Sequence, residues 1–216
     1  MPNLEENQNL SAAAYQQIEE LIVTLELPPG TVFSEADLSR RLNIGRTPVR
    51  EALQKLSADQ LVITLPRRGM MVTEINIASH LALLETRRVL EKLIIAKAAK
   101  RAAPEQKDAL QECARGIVDA AERGDLVSYM RYDQTFHQIT AAASGNPYAV
   151  SANAPFHAHC RRFWYYYKMN GDIKRLARFH ADMMYAVIDG DEVQAASILD
   201  EMMDYLAEFT KAALNL

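Results

Sequence analysis

The sequence predicts a mainly α-helical protein in two parts, an N-terminal winged helix-turn-helix followed by an all-α antiparallel bundle of six helices. Three observations predict it. Residues 34–56 (SEADLSRRLNIGRTPVREALQKL) read as two short helices around a tight turn. Residues 61–73 read as a β-hairpin with a basic tip, and from Ile77 onward helix-length stretches follow one another with no β-prone run between them.

The elements follow in chain order. Residues 1–10 (MPNLEENQNL) are polar and are expected to form a flexible arm. Ala14, Ile18, Leu21, Ile22 and Leu25 make the apolar stripe of a first helix, which Pro28-Pro29-Gly30 ends. It carries no basic face and serves as support. Ser34 caps a second helix with Asp37 as its capping-box partner, and Leu38 and Leu42 give that helix its buried side. Asn43-Ile44-Gly45 has turn chemistry, since Asn and Gly both tolerate positive φ.

A third helix is expected to open with Thr47 as cap and Pro48 at its first position. Val49, Ala52, Leu53 and Leu56 repeat at i, i+3, i+4, i+7 and form one apolar face. Thr47, Arg50 and Gln54 fall opposite, with Arg46 at the entrance. Such a face suits a major groove, where Arg bonds guanine edges bidentately and the other side chains reach phosphates. Spacing alone also fits a surface helical hairpin with solvated charges. The strands 61–65 and 70–73 around Pro66-Arg67-Arg68-Gly69 favour the groove reading, because a basic-tipped hairpin after such a helix is placed to touch the phosphate backbone. From Arg40 to Arg68 seven basic residues face only Glu51 and Asp59, whereas the whole chain carries −4.

Composition bounds the rest. With 216 residues, 49% of them hydrophobic, there is material for one small and one medium domain, placed at 11–76 and 77–216. A pI near 5.8 fits a small basic face carried on a larger acidic body. Cys113 and Cys160 have no metal or redox spacing and read as small core residues of a reducing cytosol. No signal peptide and no membrane-length apolar run is present, so a cytoplasmic location is expected.

The run Leu27-Pro28-Pro29-Gly30, Ser34-Glu35, Leu38, Arg46-Thr47-Pro48-Val49-Arg50-Glu51-Ala52-Leu53, Leu56 and Arg68-Gly69 resembles the winged-helix domain of GntR-family transcription regulators over roughly residues 10–75. The resemblance implies DNA contacts from Arg46, Thr47 and Arg50 and, in the wing, from Arg68 and Gly69. Gln54 and Arg67 join them by position. Ala36 and Gly45 depart from the family pattern, where a long polar residue and a Ser are usual; each departure removes one polar contact.

In the bundle the expected helices span about 77–102, 105–122, 125–144, 147–168, 172–189 and 191–214. Pro104, Gly124-Asp125, Gly145-Asn146-Pro147, Asn170-Gly171 and Gly190-Asp191 break them, and Pro155 is expected to kink or split the fourth. Asp133 and His137, four apart, share a helix face at a spacing suited to two ligands of one metal, with His180 as a candidate third. A lone Asp/His pair is more often simply hydrogen-bonded or solvated. His157 and His159 point about 200° apart on a helix and cannot share an ion, though one could line a cavity. Phe163 to Tyr167 reads as core plus dimer surface in preference to a ligand-stacking wall, and Met183, Met184, Met202 and Met203 as core filling.

Arg87–Glu91 (RRVLE), Asp133–His137 (DQTFH), Ser144-Gly145-Asn146-Pro147 and Gly190-Asp191 resemble the effector (FCD) domain of the FadR-type branch of that family, and six helices suggest its VanR-like subgroup. The resemblance implies an Asp and three His around a divalent ion such as zinc or nickel, with an effector carboxylate completing the coordination. Asp133, His137 and His180 match three of these positions, and Met202, a soft thioether, stands at the fourth. It also implies an inward Arg87 suited to a carboxylate; the plainer alternative is an ion pair with Glu91 on its own helix. The expectation is a cytoplasmic homodimeric regulator, a repressor released by a small organic acid, reading a pseudo-palindromic double-stranded operator. A metal-dependent enzyme on the bundle and a constitutive DNA-binding protein with a decayed effector site are the alternatives.

Overall fold

The computed structural model describes residues 4–167 and 172–213. The chain divides into two compact units: Met1–Asn76 with Ala158–Tyr166, and Ile77–His157 with Tyr167–Leu216.

The first unit contains α1 (Leu4–Val23), β1 (Val32–Phe33), α2 (Glu35–Leu42), α3 (Arg46–Ala58), β2 (Val62–Leu65) and β3 (Gly69–Val72). Helix α1 begins at Leu4, so most of the expected arm is helical. Its Leu, Glu and Gln residues are good helix formers, and polarity alone does not oppose a helix. Ala14, Ile18 and Ile22 are fully buried, as are Val49 and Leu56 of α3, the helix on which α1 packs. Ser34 and Asp37 form the capping box of α2, and Asn43 ends it in the left-handed region at φ 53°.

Helix α3 starts one residue before the expected Thr47 cap. Gly45 is its N-cap, without a side-chain bond, and Pro48 lies within the first turn. An N–H there would find no helical acceptor, so Pro48 costs the helix nothing. The sheet order is β1-β3-β2, antiparallel throughout. β1 is only two residues long and exists through its pairing with β3, so the local sequence carries no sign of it. Gly69 (φ +100°) is obligatory at this corner: a Cβ there would stand 2.5 Å from the Phe33 carbonyl oxygen.

The second unit contains α4 (Ile77–Arg101), α5 (Pro104–Glu122), α6 (Leu126–Ser144), the first half of α7 (Pro147–Tyr167), α8 (Ile173–Asp189) and α9 (Glu192–Ala212). α4 packs on α6, α8 and α9, and α5 on α6 and α8. Asp125, Asp172 and Asp191 cap α6, α8 and α9 through their carboxylates, while Gly145 and Gly190 end α6 and α8 in the left-handed region. Arg88 pairs with Asp204, and Lys92 with Asp200, along the α4–α9 seam. Met183, Met184, Met202 and Met203 are buried filling, each contributing about 1.5–3 kcal/mol by leaving water.

Two further expectations meet the structure, and a third falls outside the described residues. Pro155 does not split α7, which is helical from Pro147 to Tyr167. The carbonyl deprived of its helical donor is that of Ser151, an exposed residue where water can substitute. Residues 158–166 of α7 belong to the first unit and not to the bundle. The expected break at Asn170-Gly171 lies outside the described residues.

Candidate functional site

Two sites emerge. On the first unit, burial of Val49, Ala52, Leu53 and Leu56 turns the opposite side of α3 outward. Arg46, Thr47, Arg50 and Gln54 are exposed, as are Arg67 and Arg68 at the tip between β2 and β3. Arg67 takes φ 62°, and Arg68 N–H donates to the Leu65 carbonyl at 3.0 Å, which fixes the tip as a tight turn closed by Gly69. Charge is distributed unevenly among the basic residues. Arg40 pairs with Asp37 and Arg41 with Glu26, each at 2.5 Å, and Lys55 lies over the Tyr15 ring at 4.4 Å. Among the described residues Arg46, Arg50, Arg67 and Arg68 make no ion pair. The cations left for an external anion therefore sit on the outer face of α3 and at the hairpin tip.

The second site lies inside the bundle. Asp133 and His137 come from consecutive turns of α6, His180 from α8, and one donor atom of each lies within 4.8 Å of the others. All three are buried. His180 Nδ1 donates to the Leu176 carbonyl at 2.9 Å, which places a ring proton on Nδ1 and turns Nε2 towards Asp133. That Nε2 stands 3.1 Å from Asp133 Oδ1, yet no hydrogen bond satisfies it. Either a second ring proton donated to Asp133 or a cation held by both atoms would satisfy the pair.

His137 links the two carboxylates, with Nδ1 3.1 Å from Glu91 Oε1 and Nε2 3.4 Å from Asp133 Oδ1. Burial alone would lower its pKa, but the negative charges of Glu91 and Asp133 outweigh burial and raise it. Burial also disfavours the charged forms of both acids. Arg87 and then His137 overcome it at Glu91, and the His137 and His180 imidazoles at Asp133, so both carboxyls lie well below the usual range. Arg87 Nε donates to Glu91 Oε2 at 2.5 Å. The plainer of the two sequence readings thus describes the position of Arg87, a buried ion pair on its own helix.

These residues fit a divalent transition ion. Two imidazoles and a carboxylate leave an open position, as in zinc sites that bind exogenous ligands, and Glu91 on the far nitrogen of His137 is the usual partner of a ligating imidazole. Glu91, His137 and His157 also lie within 4.8 Å, but the His137 and His157 rings stack at 3.8 Å with planes 34° apart. Their in-plane lone pairs do not converge, so this second group is a poor ion cage.

Of the expected site residues, the structure brings Asp133, His137 and His180 together, sets Arg87 beside them through Glu91, and buries Met202. His157 lines the cluster, one of the two options open for the His157/His159 pair. The contact of Glu91 with His137 was not foreseen, although the i, i+4 spacing from Arg87 pointed to Glu91.

Comparison with known proteins places both parts of the chain in one family. Residues 82–205 match the FCD domain, and residues 10–72 match bacterial regulatory proteins of the gntR family. Over 136 residues, 62% of this chain and 80% of the relative, it is 32% identical to an uncharacterized HTH-type transcriptional regulator in the TAR-I ttuE-ttuC' intergenic region of Agrobacterium vitis. It is 28% identical over 212 residues to the HTH-type transcriptional repressor RspR of Escherichia coli (strain K12), covering 97% of this chain and 91% of that one. Among solved structures, E. coli McbR/YncC superposes with a TM-score of 0.83 at 19% identity, over 95% of this chain and 98% of that chain. A putative transcriptional regulator GntR from Rhodococcus sp. RHA1 gives 0.71 at 20% identity, over 94% and 98%. At these identities the structural likeness concerns the fold. No helix among the described residues is long and apolar enough to cross a membrane.

Proposed function

This chain belongs to the GntR family of bacterial regulatory proteins, with an FCD domain after its winged helix-turn-helix, and is a DNA-binding transcription regulator; we propose that it is a cytoplasmic homodimeric repressor released by a small carboxylate. The observation that carries this reading is the separation of its two chemistries. Uncompensated guanidinium groups occupy the outer face of α3 and the wing tip, and a buried cluster of carboxylates and imidazoles occupies the bundle. Arg46, Thr47, Arg50 and Gln54 would read base edges in the major groove, while Arg67, Arg68 and the backbone at Gly69 hold phosphates. A homodimer would present two such faces to a pseudo-palindromic operator. Six bundle helices support the VanR-like subgroup.

Asp133 Oδ1, His137 Nε2 and His180 Nε2 would hold a divalent transition ion, zinc or nickel, in the bundle. Bound there, it would supply a Lewis-acidic anchor for one carboxylate. Asp133 supplies the charge, Leu176 fixes the tautomer of His180, and Glu91 orients His137. The side chain at 202 is a thioether, weaker toward either ion than an imidazole. Glu91 is no free base for a hydrolytic role of the same donors, since it is already committed to Arg87 and His137. Binding of a carboxylate shifts operator affinity, and by linkage operator shifts carboxylate affinity by the same factor.

The test is selection of binding sites from random duplexes by the purified protein, followed by titration of the selected site with carboxylates, with and without zinc. A recovered two-fold sequence released by a carboxylate is expected. Failure to enrich any sequence would remove the operator half of this reading, and release by no carboxylate would remove the effector half.

A further inference from the structure

Resting on the operator reading above, we infer that Glu35, at the start of α2, is a positioning residue that turns the Arg50 guanidinium from phosphates towards base edges. Glu35 and Arg50 line one open cleft of about 280 Å³, with Gln54, Ser57 and Thr64 beside them and Leu53 beneath. The cleft lies between the first turn of α2, one side of α3 and strand β2, wholly within the winged unit. Arg50, Gln54 and Thr64 are exposed, while Glu35 and Ser57 are half-buried. Arg50 and Gln54 also belong to the outer face of α3, so a duplex docked on that face covers the cleft.

Two acids open α2, and only one of them has local partners. Asp37 Oδ2 accepts from the Ser34 hydroxyl at 2.6 Å and from the Ser34 backbone N–H at 3.3 Å, and Asp37 Oδ1 pairs with Arg40 at 2.5 Å. Among the described residues Glu35 makes no hydrogen bond and no ion pair. Of the described residues lining the cleft, Glu35 is the one anion and Arg50 the one cation. They form no ion pair in the free protein, where water separates and screens them. A duplex that displaces this water strengthens their attraction, by about fourfold when the effective dielectric falls from that of water to that of a protein surface.

A carboxylate placed here does two things. It repels any phosphate entering the cleft, because its charge cancels that of the single guanidinium there. It also holds one side of the Arg50 fork, leaving the remaining N–H groups for a paired acceptor such as guanine O6 and N7. An arginine without such a counter-charge is drawn to the nearest phosphate, where it adds affinity for every duplex alike. Glu35 thus raises specificity by disfavouring the wrong contact. An acid in a first turn also stabilises its own helix through the dipole, and the two roles predict different results.

The experiment is a double-mutant cycle on the full-length protein: wild type, Glu35→Gln, Arg50→Ala and the double variant. Each is titrated by fluorescence anisotropy with the selected duplex and a scrambled one over a range of salt, and thermal melting reports that the variants fold. Glu35→Gln is expected to bind the scrambled duplex tighter, with a salt slope steeper by about one phosphate contact. Its preference for the selected duplex should fall roughly tenfold, within what one bidentate base contact contributes. Glu35→Asp, which keeps the charge on a shorter stem, should retain part of that preference. In the Arg50→Ala background Glu35→Gln should change the preference no further. An unchanged preference in Glu35→Gln overturns the inference while leaving the operator reading in place. A loss of equal size with and without Arg50 overturns it too, since Glu35 would then act only through the stability of α2. If the wild type prefers no duplex, the operator reading itself fails and the role of Glu35 falls with it.

Discussion

His157 and His159, two residues apart on α7, serve different compact units. His157 stacks on His137 within the bundle, whereas His159 Nε2 donates to the Asp59 carbonyl at 2.8 Å, at the C-cap of α3 in the winged unit. The same half of α7 sends Arg161 to Glu19 and Arg162 to the Thr73 and Glu74 carbonyls. Burial pushes the Arg162 guanidinium down to about 10, with Glu74 opposing, so this grip holds a charged group where charge is disfavoured.

His159 gives the winged unit an acid-sensitive contact. Its pKa is lowered, mainly by burial, which outweighs the bond to the Asp59 carbonyl. A depressed folded-state value means that the unfolded chain takes up the proton first. The contribution is therefore complete above the unfolded pKa of about 6.5 and is lost as pH falls below it. Denaturant unfolding between pH 7.5 and 5 should show the wild type losing stability faster than His159→Gln, by up to about 1.4 kcal/mol per pH unit. Parallel curves would remove His159 from this role.

Arg50 and Arg68 should fail in different ways. Arg50→Ala is expected to cost about 1–3 kcal/mol of specific binding and to relax the sequence preference at one position of each half-site. Arg68→Ala should weaken all duplexes alike and reduce the salt slope by about one phosphate contact. Mobility-shift titrations of the selected site and a scrambled one, at several salt concentrations, separate the two. A scrambled site as sensitive to Arg50→Ala as the selected one would place Arg50 on the phosphates.

Gly69→Ala should unfix the wing. The new Cβ would meet the Phe33 backbone oxygen at 2.5 Å on a residue with φ +100°, so neither neighbour can yield cheaply. A local loss of about 1–3 kcal/mol is expected, with operator binding weakened. Hydrogen exchange of the β3 amides reports it; unchanged protection there would show the corner to be tolerant.

Much of this was legible because its causes are local. The capping box of Ser34 and Asp37, the apolar repeat of α3 and the Gly-Asp breaks between bundle helices each depend on residues within a turn or two. What was not legible depends on distant partners. β1 is made by β3, and residues 158–166 pack with the winged unit through Glu19, Asp59 and Thr73. The start of α3 was misplaced because Thr47 has the chemistry of a cap, while the chain used Gly45. At Arg87 two readings were open, and the nearer partner, Glu91, holds the guanidinium.

Glu91 should control metal affinity without touching the metal. Its Oε1 receives His137 Nδ1–H, and its Oε2 holds Arg87. Glu91→Gln keeps an acceptor but removes the charge that orients and enriches the imidazole, and outer partners of this kind are worth about ten- to a hundredfold in affinity. Competition with a chromophoric chelator should show that loss for zinc. The variant also removes the carboxylate charge paired with the buried Arg87 guanidinium, so the metal-free protein should melt earlier. Unchanged zinc affinity beside a lowered melting temperature would make Glu91 a purely structural partner.

Met202→His tests the fourth position from the other side. Met202 is fully buried, and its place 22 residues after His180 is where the family resemblance implies a last ligating imidazole. Without metal, the variant should be less stable than the wild type, because a buried imidazole lacking partners costs about 1–3 kcal/mol. With zinc the order should reverse. A direct ligand ought to add no less than the tenfold that an outer partner adds, and ligand binding to the folded state alone raises the melting temperature in proportion to its logarithm. The informative quantity is the crossing: a variant below the wild type in chelator and above it in zinc places residue 202 at the ion. A deficit of equal size under both conditions would show that this helix turn faces only apolar neighbours, and the three-donor site of Asp133, His137 and His180 would then be complete as it stands.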